Sequence, residues 1–197
     1  CQQLTEADVD ANLVAAANIT YLEGYLWDPP AAKLAFTKAT KIAKASGRRV
    51  ALSLSDTFCV DRYREEFLTL IRGHGIDIVF ANESELHSLY QTADFETAVT
   101  QLRNEGILAV VTSSEKGSLI VTREGTHAVP AFPVEKVIDT TGAGDLFAAG
   151  FLAALCKNLP LPDCARLGAL AAAEVIQHYG ARPQTDLIAL AASNGLI

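Results

Sequence analysis

Two acids bracket a glycine-rich turn at Asp139-Thr-Thr-Gly-Ala-Gly-Asp145, and the apolar run Leu146-Phe-Ala-Ala-Gly-Phe-Leu152 follows at once. Glycine lets a backbone turn sharply and lets a ligand approach closely. A turn that opens a helix presents unpaired N–H groups at the positive end of the helix dipole. Such a place holds an anion, commonly a phosphate. Phosphate there would repel Asp145, so this acid needs a separate task. The one that fits is taking a proton from the group that attacks the phosphate. The bland alternative is a tight loop capping a core helix, with Asp145 as a first-turn acid.

This stretch resembles the second signature of the ribokinase-like (PfkB) carbohydrate kinases, D-T-x-G-A-G-D. The resemblance implies that Asp145 is the catalytic base. It implies that the amides of Gly142, Ala143 and Gly144 form an anion hole for the transferring phosphoryl group. It further implies ATP as phosphoryl donor, with Mg²⁺.

Asn82-Glu83-Ser84-Glu85 follows the apolar run Ile76–Ala81. That places it at the carboxyl end of an expected strand, where ligands of parallel sheets bind. Asn82 and Glu85 match the family's N-x-x-E motif, which helps to organise Mg²⁺ and the phosphates, largely through water. Magnesium prefers oxygen ligands and keeps much of its hydration, so an outer-sphere carboxylate suffices. Glu83 is the alternative acid, and taken alone Asn-x-x-Glu is an ordinary helix cap.

Val110-Val-Thr-Ser-Ser-Glu-Lys-Gly-Ser118 resembles the family's T-x-G-x-x-G loop, which lines the nucleotide's phosphates and ribose. Thr112 and Gly117 fit the pattern. Ser114 stands where the first glycine is usual, and serine disfavours positive φ. The expectation is a slightly reshaped loop whose hydroxyls still bond phosphate or ribose. Lys116 either adds charge beside the phosphates or is solvated.

Ala169–Ile176 and Tyr179-Gly-Ala-Arg-Pro183 resemble the family's last signature region. There a helix covers the adenine, and Gly168 would leave room for the ring. The Gly-Ala turn adds carbonyls to a monovalent-cation site, for which the resemblance implies K⁺ with Asp139 and Thr141 as further ligands. Tyr21-Leu-Glu-Gly-Tyr-Leu-Trp27 is similar to a segment of adenosine-kinase-like members. Ser53-Leu-Ser-Asp-Thr-Phe58 ends a strand at the same edge and offers Asp56 and Phe58 to a substrate. His74, His87, His127 and His178 show no triad or metal spacing.

The elements that must carry these residues alternate between strand and helix. Strands are expected at Ile19–Leu22, Arg49–Leu54, Ile76–Ala81 and Ile107–Thr112, then a hairpin of Ser118–Thr122 and His127–Phe132 around Glu124-Gly125. Helices are expected at Val9–Ala17, Ala31–Ala45, Asp61–Arg72, Glu83–Tyr90, Asp94–Asn104, Gly144–Lys157, Pro162–His178 and Thr185–Ser193. Strands separated by helices imply βαβ units and a mostly parallel sheet covered on both faces. The fold class is therefore α/β, a three-layer αβα sandwich, read as one ribokinase-like kinase domain over 1–197. The family's N-terminal strands, Gly-Gly motif, most of its sugar-binding residues and its β-sheet lid have no match here. The chain, which starts at Cys1, is therefore expected to be the C-terminal portion of a longer protein.

A chain of 197 residues, 50% of them hydrophobic, can bury a large core. Its net charge of −7 argues against a nucleic-acid surface. No apolar stretch reaches the roughly 18 residues needed to span a bilayer. Four cysteines at 1, 59, 156 and 164 fit neither a zinc site nor a disulfide framework, and a reducing, cytoplasmic setting is the simplest account. Cys156 and Cys164 read as core residues, while Cys59 reads as a loop residue within reach of a ligand.

By resemblance the function is ATP-dependent phosphorylation of a primary hydroxyl on an adenosine-like nucleoside or on a sugar such as ribose or fructose. Because dimers in the family often form through the lid, the intact protein is expected to be a homodimer. A non-catalytic nucleotide-binding fragment or regulatory module remains the competing class. A Rossmann dehydrogenase fits poorly, since the third glycine is missing at the required offset.

Overall fold

The computed structural model describes residues 3–197, so Cys1 lies outside the described residues. Six strands form one sheet in the order β1-β2-β3-β4-β5-β6: β1 Ile19–Glu23, β2 Arg49–Ser53, β3 Ile78–Asn82, β4 Leu108–Thr112, β5 Ser118–Val121 and β6 Thr126–Val129. β1 pairs with β2, and β2 with β3, in parallel. The helices are α1 Ala11–Ala16, α2 Pro30–Ala45, α3 Thr57–Arg72, α4 Glu83–Tyr90, α5 Phe95–Asn104, α6 Ala143–Cys156, α7 Leu161–Val175 and α8 Leu187–Ser193. The architecture is the expected α/β one.

The chain divides into two compact units, one of Cys1–Val111 with Val121–Thr126 and one of Thr112–Ile120 with His127–Ile197. In the first, the middle residues of β2 and most of β3 are buried, as continuous apolar runs in parallel strands require. Val50, Leu52, Val79, Phe67 and Ile71 are fully enclosed. Asp10, Asp56, Asn82 and Asp94 each cap the helix that follows, accepting from an amide in its first turn. The second unit is built on α6 and α7. Their glycines permit a very close crossing: a Cβ on Gly150 would lie 3.0 Å from the Cα of Gly168.

Element positions hold to within a few residues, with one functional correction. Asp56 starts α3 four residues earlier than the apolar stripe suggests, because its carboxylate accepts from the Cys59 amide at 2.7 Å. Cys59 is therefore a buried helix residue and not a loop residue, and its thiol donates to the Gly24 carbonyl at 3.1 Å. Cys156, expected in the core, is exposed at the end of α6.

Candidate active site

Within the second unit, Gly142 takes φ +80° as the N-cap of α6. Its chain face is pressed against the turn after α7, for a Cβ there would lie 2.7 Å from the Cβ of Ala181. Only glycine satisfies both conditions. The Ala143 amide donates back to Thr140 O at 3.1 Å, and the helical ladder begins with Leu146 N to Gly142 O at 2.9 Å. The amides of Gly144 and Asp145 precede that ladder at the positive end of the dipole. Gly144 is exposed, and a Cβ built on it meets open space. Asp145 is exposed in the first turn of α6.

This helix tip opens into a cleft of about 650 Å³, to which Thr140, Ala143 and Gly144 contribute. Thr112, Ser114 and Gly117 line the same cleft, so three loop residues from the sequence reading share one cavity with the helix tip. Gly117 has φ +99°, and a Cβ there would stand 2.1 Å from Val129 O. Ser114 adopts φ +49°, a left-handed conformation that glycine takes more easily than serine. The turn is closed by Ser113 N to Gly117 O at 2.8 Å. Apart from Glu115, the rest of the cleft is apolar, with Val134, Val137, Phe147, Ala169, Ala172 and Ile176 among its walls.

Gly168 is a correction. It is not a wall of that cleft; a Cβ there would meet Phe147 O at 2.7 Å and the Phe147 ring at 3.3 Å. Its small size serves the contact between α7 and α6, and not room for a ring.

Asp139 and Thr141 form a turn that fixes the approach to α6. Asp139 Oδ1 accepts from Thr141 N at 2.9 Å and Thr141 Oγ1 at 2.6 Å, while Oδ2 accepts from Gly180 N at 3.0 Å. The Thr141 hydroxyl, followed by the amides of Gly180 and Thr141, lowers the Asp139 carboxyl to about 2. Among the described residues, no three acidic, histidine or cysteine side chains cluster closely enough to cage a metal ion.

In the first unit, Asn82 and Glu85 cap α4 reciprocally. Asn82 N donates to Glu85 Oε2 at 2.9 Å, Asn82 Nδ2 to Glu85 Oε1 at 2.6 Å, and Glu85 N to Asn82 Oδ1 at 2.8 Å. Glu85 is buried, and burial pushes its carboxyl up to about 7, with Asp56 and Glu23 adding repulsion against the opposing Asn82 amide. Phe58 is 77% exposed on α3, and Asp56 is engaged as that helix's cap. Gly24 of the Glu-Gly-Tyr segment has a packing reason, since a Cβ there would stand 2.6 Å from Ser53 O.

Sequence reasoning missed Glu174. It is 7% exposed on α7, and its Oε1 accepts from Gln184 N at 2.8 Å, Thr185 N at 3.0 Å and Thr185 Oγ1 at 3.0 Å. Its Oε2 lies 3.3 Å from His178 Nε2, too poorly aligned for a hydrogen bond. Burial pushes the carboxyl up, but the Gln184 and Thr185 donors, with His178 alongside, hold it below its ordinary value.

Residues 1–187 match the pattern of the pfkB family carbohydrate kinases. The chain belongs to that family. This pfkB-family chain is 36% identical to a cytidine kinase of Thermococcus kodakarensis over 146 residues, which is 70% of this chain and 50% of that protein. A probable sugar kinase from Rhizobium etli superposes with a TM-score of 0.98 at 50% identity, over all of this chain and 60% of that one. An adenosine kinase from Sinorhizobium meliloti gives 0.97 at 48% identity, over 98% of this chain and 59% of the other. The chain thus spans about half to three fifths of the length of these relatives.

Proposed function

We propose that the whole protein transfers the γ-phosphoryl group of ATP to a primary hydroxyl of a nucleoside, and that this chain supplies the catalytic acid–base residue and the donor-nucleotide site. The observation that carries the reading is the tip of α6. Amides that precede the helical ladder open into a cleft whose far walls are apolar, and an exposed carboxylate, Asp145, stands one residue on. Phosphates fit the amide end, and a flat base fits the apolar end.

In this reading Asp145 accepts the proton of the attacking hydroxyl as its oxygen bonds to the γ-phosphorus and the bond to the leaving diphosphate breaks. The Gly142, Ala143 and Gly144 stretch holds the charge of the transferring group. Phosphoryl transfer has a loose transition state, so positioning and charge stabilisation do most of the work. Thr112, Ser114 and Gly117 hold phosphate or ribose through hydroxyls and a closely approached backbone. Mg²⁺, when bound with the nucleotide, neutralises phosphate charge. Asn82 and Glu85 are the residues proposed, on the N-x-x-E resemblance, to orient it through water. K⁺ beside Asp139 and Thr141 is part of the proposal, as are cytoplasmic residence and a homodimer of the whole protein.

A nucleoside is taken ahead of a sugar as acceptor, because a cytidine kinase and an adenosine kinase stand among the relatives named above, against one probable sugar kinase. A panel of adenosine, cytidine, inosine, ribose and fructose, with ATP and Mg²⁺, with and without K⁺, tests this on the whole protein. Phosphorylation of a nucleoside in preference to either sugar is the expected result. Asp145→Asn should keep the fold and nucleotide binding and lose at least about 10² in kcat. Near-full turnover by that variant would remove Asp145 from the mechanism.

A further inference from the structure

The segment between α7 and α8 is tied down at three points, all within the second unit. Gly180 N donates to Asp139 Oδ2 at 3.0 Å. Ala181 abuts Gly142 so closely that no Cβ fits between them. Beyond Pro183, whose ring stiffens the chain, the amides of Gln184 and Thr185 and the Thr185 hydroxyl all converge on one oxygen of Glu174. The first two ties touch the turn that opens α6. The third holds the far end of the same short segment.

We propose that Glu174 is a positioning residue for the anion hole: its buried carboxylate anchors Gln184 and Thr185, which keeps Ala181 seated against Gly142 and so fixes where the Gly144 and Asp145 amides at the tip of α6 point. A side chain at 174 that cannot accept would take from two amides and a hydroxyl of the exposed Gln184 and Thr185 the one protein acceptor that fixes them in place. The segment would then move off, and Gly142, held in a left-handed conformation partly by the wall Ala181 makes, would gain freedom. Small displacements of groups aimed at a transferring phosphoryl have large kinetic effects. Gln184 and Thr185 are not themselves part of the cleft, so the action is through the backbone.

The inference rests on the kinase reading of this site for its kinetic arm and is independent of it for its structural arm. In the whole protein, Glu174→Ala should lower kcat about 10- to 100-fold with acceptor KM nearly unchanged. Glu174→Gln keeps an acceptor oxygen and should restore most of that rate. Ala181→Gly should remove the link, so Glu174→Ala placed on that background should lose far less additional rate than on the wild type. By hydrogen exchange, Glu174→Ala should speed exchange at Ala143 and Leu146, whose amides bond Thr140 O and Gly142 O at the tip of α6, not only at Gln184 and Thr185. A purely structural Glu174 would lower Tm while kcat per folded molecule, the additivity with Ala181→Gly and exchange at the α6 tip stayed as they were; that result overturns the proposal. If the wild type transfers no phosphoryl group, the kinase reading fails, and the exchange comparison still decides the role of Glu174.

Discussion

Gly150 of α6 and Gly168 of α7 touch backbone to backbone: a Cβ on Gly150 would come within 2.7 Å of Leu167 O, and one on Gly168 within 2.7 Å of Phe147 O. Such distances cannot be relieved by turning a side chain. Alanine at 168 gains about 1 kcal/mol of helix propensity, but overpacking against fixed backbone costs about 1–3 kcal/mol. Gly168→Ala should therefore be net destabilising and lower Tm in a thermal melt. Because Gly168 is not a wall of the cleft, nucleotide affinity measured well below Tm should stay near wild type. A raised Tm would show that the helices part easily. Weakened binding at unchanged Tm would return Gly168 to the nucleotide site.

Gly144 makes the opposite case. Nothing lies within 4 Å of a Cβ built on it, and its φ is not in the left-handed region. The fold therefore has no need of glycine there, and Gly144→Ala should hold or raise stability by up to about 1 kcal/mol. The methyl would, however, stand in the open space before the helix tip, where the phosphoryl group is proposed to pass. The expected pair of results is Tm equal or higher with kcat lower by at least about tenfold. Unchanged turnover would mean that the phosphoryl group does not approach this face of the turn.

The turn that opens α6 was legible because it is local. A turn with two glycines between acids, running into an apolar helix, carries its geometry in consecutive residues, and Gly142 takes the positive φ that such a turn needs. Asn82 and Glu85 were legible for the same reason, as a cap and its third residue. What stayed hidden depends on contacts distant in the sequence. Gly168 reads as a small residue near a ligand until Phe147 is seen against it. Glu174 sits in an alanine-rich helix and finds its donors ten residues on, in a segment without regular periodicity. Cys59 was misplaced although the signal was present, since Asp56 precedes it at cap spacing. Ser114 holds a left-handed φ of +49° that serine in sequence gives no reason to expect.

The cysteines give a chemical check on the first unit and on the end of α6. Cys59 is 1% exposed, its thiol donates to Gly24 O, and burial, reinforced by Asp56 and Asp28, pushes it up to about 12. The thiolate is the reactive form, so Cys59 should be inert at neutral pH. Cys164 is fully buried, whereas Cys156 is exposed. Peptide mapping after brief alkylation of the native protein should find Cys156 modified and Cys59 and Cys164 protected, with all three modified in denaturant. Rapid labelling of Cys59 would contradict the α3 start that Asp56 sets.

Glu85 should make stability fall as pH rises. Burial, with Asp56 and Glu23 repelling its charge, raises its carboxyl from 4.5 to about 7. A raised folded-state value means that the native protein binds this proton more tightly than the unfolded chain does. The stabilisation is complete below about pH 4.5, is lost as pH rises through about 7, and stays lost above that, a span worth on the order of 3 kcal/mol. Asp139 works in the other direction at lower pH, because its value is held at about 2 and its contribution is lost only as pH falls below the ordinary carboxylate range. The two windows are separate enough to resolve. Glu85→Gln keeps an acceptor for the Asn82 amide and removes the titration. Urea melts from pH 5 to pH 8 should show wild-type stability falling by an amount that Glu85→Gln largely abolishes. Equal slopes for the two proteins would mean that Glu85 ionises in the native state as freely as in the unfolded one.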